Sequence, residues 1–256
     1  LPHEGQRGGV PARAQHGVTR EYAALAPQPD AVPLAPLFDA PLTDTSITVG
    51  PDKAFYLTGS AVEGQRAVFT NRLAFWRSTD LKQWALLRTL DLEGTKARSP
   101  ELHCLDGRFW LTLGREGGGT ELLRFDTADL ATSGFRQARI TESGEDPSLF
   151  RDDDGVFYWV MSSGEIARMK ADPLDGLAGP PMKIPVQIAG PRAQQADQIV
   201  RNLRGAFLAK INDKYHLFVT GRLHRNGLGR TGLPEGVDDV LVAASEKPEA
   251  GYSDFY

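Results

Sequence analysis

The chain has 256 residues, of which 41% are hydrophobic and 24% are charged, and its formal net charge at pH 7 is −4. This is the composition of a globular protein, and the mild acidity argues against a nucleic-acid partner, which favours clustered positive charge. No apolar run approaches the roughly 20 residues that span a bilayer, so we expect no membrane partner. The single cysteine, Cys104, excludes an intrachain disulfide.

The first 36 residues differ in character from the rest of the chain. They mix Gly, Pro, Arg, Ala and Gln without apolar periodicity, and three prolines fall within residues 29–36. Proline fixes the backbone and removes a hydrogen-bond donor, which excludes regular helix there. We predict an extended or disordered N-terminal arm over residues 1–36 and one domain over residues 37–256. Because the chain starts at Leu1 rather than at methionine, we expect a processed or trimmed product.

Strand–turn–strand patterns recur along the predicted domain. Short apolar and aromatic runs flank a tight turn around residues 46–58, 101–113, 148–160 and 206–219, and further strand-like runs follow each hairpin. Each unit thus holds about four strands over roughly 45–60 residues, a period typical of a β-propeller with one four-stranded antiparallel sheet per blade. A β-sandwich, or two small antiparallel sheets, is the alternative.

Two pairs of aromatic residues occupy the second strands of the predicted units. These are Phe109 and Trp110, and Tyr158 and Trp159. Neighbouring residues of a strand point to opposite faces, and one small sheet cannot bury both of its faces alone. Stacked blades cover both faces, so we predict that all four aromatic side chains lie in the core.

Carboxylates stand just before the first strand of three predicted units. They are Asp44, Glu101 and Asp146, and the fourth unit carries Arg204 at the corresponding place. The first strand of a blade lines the central channel, so we expect these residues to converge at one mouth of it. Converging carboxylates are candidates for acid/base chemistry.

Four motifs in order resemble one known family. They are Asp-x-Ser at residues 44–46, Trp-x-Ser-x-Asp-Leu-x-x-Trp at 76–84, Pro-Glu-x-His at 100–103 and Asp-Pro-Ser at 146–148. From about residue 37 to the C-terminus, the chain is similar to glycoside hydrolase family 43 and its five-bladed propeller relatives. The resemblance implies an all-β, five-bladed propeller, of which four blades are recognisable. The fifth blade would lie beyond Tyr256, would take strands from the arm, or would be missing in a four-unit variant; we favour a truncated C-terminus.

The resemblance also implies roles for the carboxylates. Asp44 matches the general base that activates water, and Asp146 matches the carboxylate that orients the acid. The family's acid is expected as Glu in a Glu-Gly pair, but the chain reads Arg204-Gly205, and arginine stays protonated and cannot act as an acid. Glu101 is the first alternative acid. Asp44 and Asp146 have a structural alternative as turn caps.

Several further residues are candidates at the predicted site. The other alternative acids are His103, Glu145, His224 and Glu235. His103 is also a candidate substrate contact, or the structural partner of Glu101. Trp76 is either a sugar contact or, together with Trp84, part of the blade packing. Arg204 can bind an anionic sugar, because its planar fork matches a carboxylate.

These observations favour a glycosidase that acts on plant or algal polysaccharides or oligosaccharides by inverting-type attack of water. The alternatives are a catalytically inactive glycan-binding propeller and a propeller used for protein contacts. A carbohydrate is the expected partner, the oligomeric state is not predicted, and the substrate class suggests an extracellular or periplasmic location. No cofactor is required. A calcium ion in the channel is not indicated, and the acidic run at residues 152–155 favours a solvated turn over a calcium loop, since the distal Glu is missing.

Overall fold

The computed structural model describes residues 41–64, 66–162, 164–183, 203–223 and 237–253, which all belong to one compact unit. The arm predicted over residues 1–36 lies outside these ranges and stays a prediction. Within them the chain forms β-strands and one short 3₁₀ helix at Pro173–Asp175. No helix in the described part is long and apolar enough to cross a membrane.

Four antiparallel sheets follow one another along the chain, and we number them as blades 1 to 4. Blade 1 contains β1 (Leu42–Val49), β2 (Phe55–Glu63), β4 (Arg72–Ser78) and β5 (Ala85–Asp91), and the short strand β3 (Arg66–Ala67) pairs with β2. Blade 2 contains β6 (Ala97–Leu105), β7 (Arg108–Arg115), β8 (Thr120–Phe125) and β9 (Phe135–Thr141). Blade 3 contains β10 (Ser148–Arg151), β11 (Phe157–Met161), β12 (Glu165–Arg168) and β13 (Met182–Lys183). Blade 4 contains β14 (Arg204–Ile211), β15 (Lys214–Leu223) and β16 (Val237–Ser245).

Within each blade the main strands pair in the order in which they occur in the chain. This up-and-down order is what short hairpin turns produce, and it confirms the predicted all-β propeller. Blades 1 to 3 have the expected four strands, and blade 1 has the extra strand β3. Three strands of blade 4 fall within the described ranges.

Hydrophobic clusters join each blade to the next one. One cluster holds blade 1 against blade 2 and includes Phe75 and Phe109, both fully buried. A second joins blade 2 to blade 3 through Trp110 and Trp159, and a third joins blade 3 to blade 4 and includes Tyr158. Phe109 and its neighbour Trp110 therefore face opposite blades, as their alternation along one strand requires. The prediction that both aromatic pairs lie in the core is confirmed.

Exposed apolar side chains mark the outer faces of blades 1 and 4. On blade 1 they are Ile47, Val49 and Leu86, and on blade 4 they are Ile211 and Val240, all at least 45% exposed. Each of these two blades has one neighbour within the described part of the chain. In a five-bladed ring, these two faces flank the fifth blade.

The acidic turn of blade 3 is a clamp between blades 3 and 4. Asp152 is 8% exposed, it accepts a hydrogen bond of 2.5 Å from the Tyr215 hydroxyl, and the Lys210 ammonium lies 3.2 Å away. Lys210 also lies 2.7 Å from the carboxylate of Asp153, which is exposed. Burial raises the pKa of Asp152, but the hydrogen bonds from Tyr215, the Asp153 amide and Lys210 outweigh it and hold the pKa below its ordinary value of 3.8. The solvated-turn interpretation therefore fits Asp153 but not Asp152.

We expect Asp152→Asn to lower the free energy of unfolding by about 1–3 kcal/mol at pH 7, because it breaks a buried, charge-assisted contact. A carboxyl group whose pKa is lower in the folded than in the unfolded state stabilises the fold when the pH is above the unfolded-state pKa. This stabilisation disappears as the pH falls through the folded-state pKa. The difference between wild type and variant should therefore shrink below about pH 4. Urea unfolding between pH 3 and pH 7 measures it. A difference that stays constant over this range would contradict the assignment.

Candidate active site

A cleft of about 690 Å³ opens where the first strands of all four blades begin. Its walls include every blade start that the sequence singled out, with Asp44 from blade 1, Glu101 from blade 2, Asp146 from the segment before blade 3 and Arg204 from blade 4. The expected convergence of these four residues is thus present in the structure. The chemical role of each one stays a prediction.

The same backbone irregularity occurs at each of these blade starts. In blades 1, 2 and 4 the first strand has an extra residue relative to its neighbour, which is a β-bulge. One residue of each start is left-handed, with φ of 48° at Asp44, 50° at Ser99, 44° at Asp146 and 56° at Gly205. This conformation costs a non-glycine residue about 1 kcal/mol or more, and such strain tends to occur at functional sites.

The bulge changes which side chains share a face. On β14, Arg204 pairs with Thr220 and Phe207 pairs with Phe218. Three residue intervals on β14 therefore span the same length as two on β15. Residues two apart on the regular strand β15 point the same way, and hence Arg204 and Phe207 do too. Arg98 and Glu101 of β6 have the same relation to Gly114 and Thr112. The bulges of blades 2 and 4 therefore each present two side chains to the cleft.

Asp44 is exposed at the cleft and is held by two hydroxyl groups. Its carboxylate accepts hydrogen bonds from Ser60 (3.1 Å) and from Ser99 (3.4 Å). Ser60 is completely buried, and its oxygen also accepts the backbone N–H of Ser99 at 2.7 Å. The described contacts of the Asp44 carboxylate are thus with side chains and do not form a turn cap. Within the described residues, no backbone amide caps the Asp146 carboxylate either.

We expect Ser60→Ala to leave the Ser99 amide without its partner and to release one side of the Asp44 carboxylate. The free energy of unfolding should fall by about 1–3 kcal/mol, as for other buried groups that lose a hydrogen bond. Chemical denaturation measures this loss. Ser143→Ala, in an exposed loop, is the matched control and should cost less than about 0.5 kcal/mol. A Ser60→Ala variant as stable as this control would show that the hydroxyl is not needed.

Glu101 and His103 both lie on β6 but in different surroundings. Glu101 lines the cleft, with 26% of its side chain exposed, whereas His103 is buried at 8% exposure. The Nε2 atom of His103 lies 3.6 Å from the Glu101 carboxylate and accepts the Leu149 amide of blade 3 at 3.4 Å. A ring nitrogen that accepts a hydrogen bond carries no proton to donate. The contacts of His103 therefore join two blades, and the residue does not line the cleft.

Glu145 and Arg98 form an ion pair of 3.1 Å across blades 2 and 3, at the rim of the cleft. The Arg98 guanidinium also lies over the Phe69 ring, 4.7 Å from its centroid. The Glu145 side chain is 68% exposed.

A model of Glycosyl hydrolases family 43 matches residues 34–254. The chain belongs to this family. No curated protein matches it.

Solved structures of family 43 share the fold. A bifunctional GH43-CE protein of Bacteroides eggerthii is 22% identical over 86% of this chain and 28% of that one, with a TM-score of 0.61. A GH43_1 enzyme of Xanthomonas citri in complex with xylotriose is 17% identical over 87% and 75%, with a TM-score of 0.63. An exo-1,5-alpha-L-arabinanase from a bovine ruminal metagenomic library is 17% identical over 85% and 76%, with a TM-score of 0.60. The chain spans less than a third of the Bacteroides protein, and at these identities the likeness establishes the fold alone.

One predicted contact of the family 43 site, Trp76, lies away from the cleft. Trp76 is 7% exposed within blade 1 and does not line the cleft, so its position corresponds to the packing alternative. His224 and Glu235 lie outside the described residues. Among the described residues, no group of three or more His, Cys, Asp or Glu side chains is placed to hold a metal ion.

Sequence reasoning missed Phe207, an aromatic residue of the family 43 cleft that is 42% exposed. Its ring packs against Phe218 at a centroid distance of 6.3 Å. Its position in the sequence could have revealed it. Phe207 follows Arg204 by three positions, just as Glu101 follows Arg98. Without knowledge of the bulge, strict alternation makes Phe207 face away from Arg204.

Proposed function

We propose that the protein is a glycoside hydrolase that acts on plant polysaccharides or oligosaccharides. The observation that carries this proposal is the meeting of Asp44, Glu101 and Asp146 in one cleft of about 690 Å³. Glycoside hydrolysis typically uses a pair of carboxyl groups on either side of the bond that breaks. The family supports the reaction type, and the arabinanase and the xylotriose-bound relative support pentose-rich polysaccharides as the substrate class.

In this proposal Asp44 is the general base. It takes a proton from a water molecule while the water oxygen attacks the anomeric carbon, and the bond to the departing sugar breaks on the opposite side. In an inverting enzyme the acid and the base stand roughly 6.5–9.5 Å apart, which leaves room for this water. The hydroxyl groups of Ser60 and Ser99 fix the orientation of the Asp44 carboxylate.

Glu101 is the proposed general acid, and it gives its proton to the oxygen of the departing sugar. It lines the cleft, and among the described residues no arginine or lysine lies within ion-pairing distance of its carboxylate. Glu145 is held by Arg98, and Nε2 of His103 accepts an amide hydrogen bond. Asp146 shares the cleft with Glu101 and orients the acid.

A second candidate function is glycan binding without catalysis, and Arg204 favours it. This residue stands where the family resemblance leads us to expect the acidic glutamate, and it lines the cleft. If no other group supplies the proton, the cleft retains its shape and its base but cannot protonate the leaving group. Such a protein binds sugars and releases no product.

An assay on aryl arabinofuranosides and aryl xylopyranosides separates the two functions, together with calorimetric binding of the matching oligosaccharides. Turnover, with NMR detecting the inverted anomer first, supports the hydrolase, and loss of turnover in Glu101→Gln identifies the acid. Binding without turnover, with hydrolysis gained in Arg204→Glu, supports the binding protein. If the protein neither binds nor hydrolyses any of these sugars, both functions are rejected.

The remaining parts of the proposal follow from the substrate class. A carbohydrate is the ligand, and the reaction as written needs no cofactor, because both proton transfers use side chains. Polysaccharides are found outside the cytoplasm, which favours an extracellular or periplasmic location. We propose that residues 1–36 form an extended or disordered N-terminal arm.

A further inference from the structure

We propose that Arg204 and Phe207 form a subsite for a sugar that carries a carboxylate group, such as a uronic acid residue. This inference rests on the proposed function only in that it assumes a sugar in the cleft. The bulge at Gly205 places the guanidinium and the aromatic ring on the same face of β14, and both line the cleft. The two side chains offer an anion-binding fork beside a flat apolar surface.

The charges of the cleft explain why Arg204 is suited to this task. Of the two arginines that the described residues contribute to the cleft, Arg98 is paired with Glu145 at 3.1 Å. Within the described residues, Arg204 has no ion-pairing partner, and its side chain lies at an exposed position. A guanidinium binds a carboxylate through two parallel hydrogen bonds, a geometry that an ammonium group does not match. The guanidinium of Arg204 therefore has the chemistry of a carboxylate receptor.

The other charges restrict how such a sugar can lie. Asp44 and Asp146 line the cleft and repel an anionic substituent, so the blade 4 side, where Arg204 lies, is the favourable place for the carboxylate. An anionic sugar is consequently held in one orientation, whereas a neutral sugar experiences no such restriction. Arg204 thus determines specificity and orientation, and it takes no part in proton transfer.

The ring of Phe207 completes the subsite. Its outer face is free at 42% exposure, and the Phe218 ring supports it from one side. Between Arg204 and Phe207, Gly205 carries no side chain, and a Cβ atom placed there would find no atom within 4 Å. The cleft next to these two side chains, with a volume of about 690 Å³, is large enough for a pyranose ring.

Two pairs of sugars test the proposal by calorimetry. They are a glucuronic-acid-branched xylotriose and its methyl ester, and digalacturonic acid and its methyl ester. In at least one pair, the wild type should bind the acid about tenfold more tightly than the ester, because esterification removes the negative charge and adds only a methyl group. Arg204→Gln should abolish this preference and leave ester binding unchanged, and Arg204→Lys should restore it only in part. Phe207→Ala should weaken acid and ester equally.

Arg108→Gln is the matched control, since Arg108 is exposed on β7 and does not line the cleft. Equal affinity for acid and ester in both pairs, no binding of either acid, or a preference that survives in Arg204→Gln would overturn the proposal. The result is independent of catalysis. Tighter binding of the acid than of its ester, without turnover, supports the subsite and counts against the hydrolase. Turnover of neutral sugars, with equal binding of acid and ester, supports the hydrolase and counts against the subsite.

Discussion

Asp44→Asn is expected to lower kcat for glycoside hydrolysis by about 10²–10⁴-fold, the usual contribution of a general base. Asparagine keeps the size of the side chain and can still contact the hydroxyls of Ser60 and Ser99, but it cannot take a proton from water. The Kd of a matching oligosaccharide should therefore change little. Steady-state kinetics on an aryl glycoside, together with calorimetry on the oligosaccharide, measure the two effects separately.

Asp91→Asn is the control for this prediction. Asp91 lies at the end of β5, its side chain is 70% exposed, and its ion pair with Arg72 contributes little. This variant should retain full activity, and both variants should unfold at the same urea concentration as the wild type. If Asp44→Asn keeps wild-type activity on a confirmed substrate, the base is another residue.

Phe109→Ala is expected to lower the free energy of unfolding by about 3–5 kcal/mol. The side chain is completely buried between blades 1 and 2, and its ring centroid lies 4.7 Å from that of Tyr56. The substitution leaves a cavity at a contact between two blades, where the sheets cannot collapse without losing their own strand pairing. Urea unfolding followed by intrinsic fluorescence measures the loss.

The same substitution at Phe207 is the matched control for stability. Because that ring is 42% exposed in the cleft, its removal should cost less than about 1 kcal/mol. Similar losses for the two variants would mean that the packing between blades 1 and 2 contributes no more to stability than an exposed ring does.

Local sequence patterns were sufficient to predict the sheets. Hairpin turns and alternating apolar residues are properties of short segments, so the four units could be predicted without knowledge of the whole fold. The aromatic neighbours Phe109 and Trp110 carried a further signal, because a strand buried on both faces needs a covering layer on each side. Propeller geometry then brought Asp44, Glu101 and Asp146 together.

The sequence around a residue does not reveal which residue of another blade it contacts. The Nε2 atom of His103 accepts the amide of Leu149, 46 positions further along the chain, and nothing near His103 indicates this partner. Trp76 illustrates a different difficulty, because its motif is compatible with a sugar contact and with blade packing, and its burial in the structure corresponds to packing. The subsite at Phe207 was missed since an extra residue reverses the alternation on which such predictions rest.

Because the bulge is repeated, residues at the same place in different blades occupy equivalent positions around the propeller axis. Arg98 and Arg204 occupy the same place relative to the left-handed residue that follows them, as do Thr43 in blade 1 and Glu145 before blade 3. A charged group can therefore be lost from one blade and gained at the equivalent position of another, each by a single substitution, with no change in backbone or register. Such a ring can lose an acid on one blade and recruit another elsewhere, which lets chemistry and specificity diverge while the architecture stays the same.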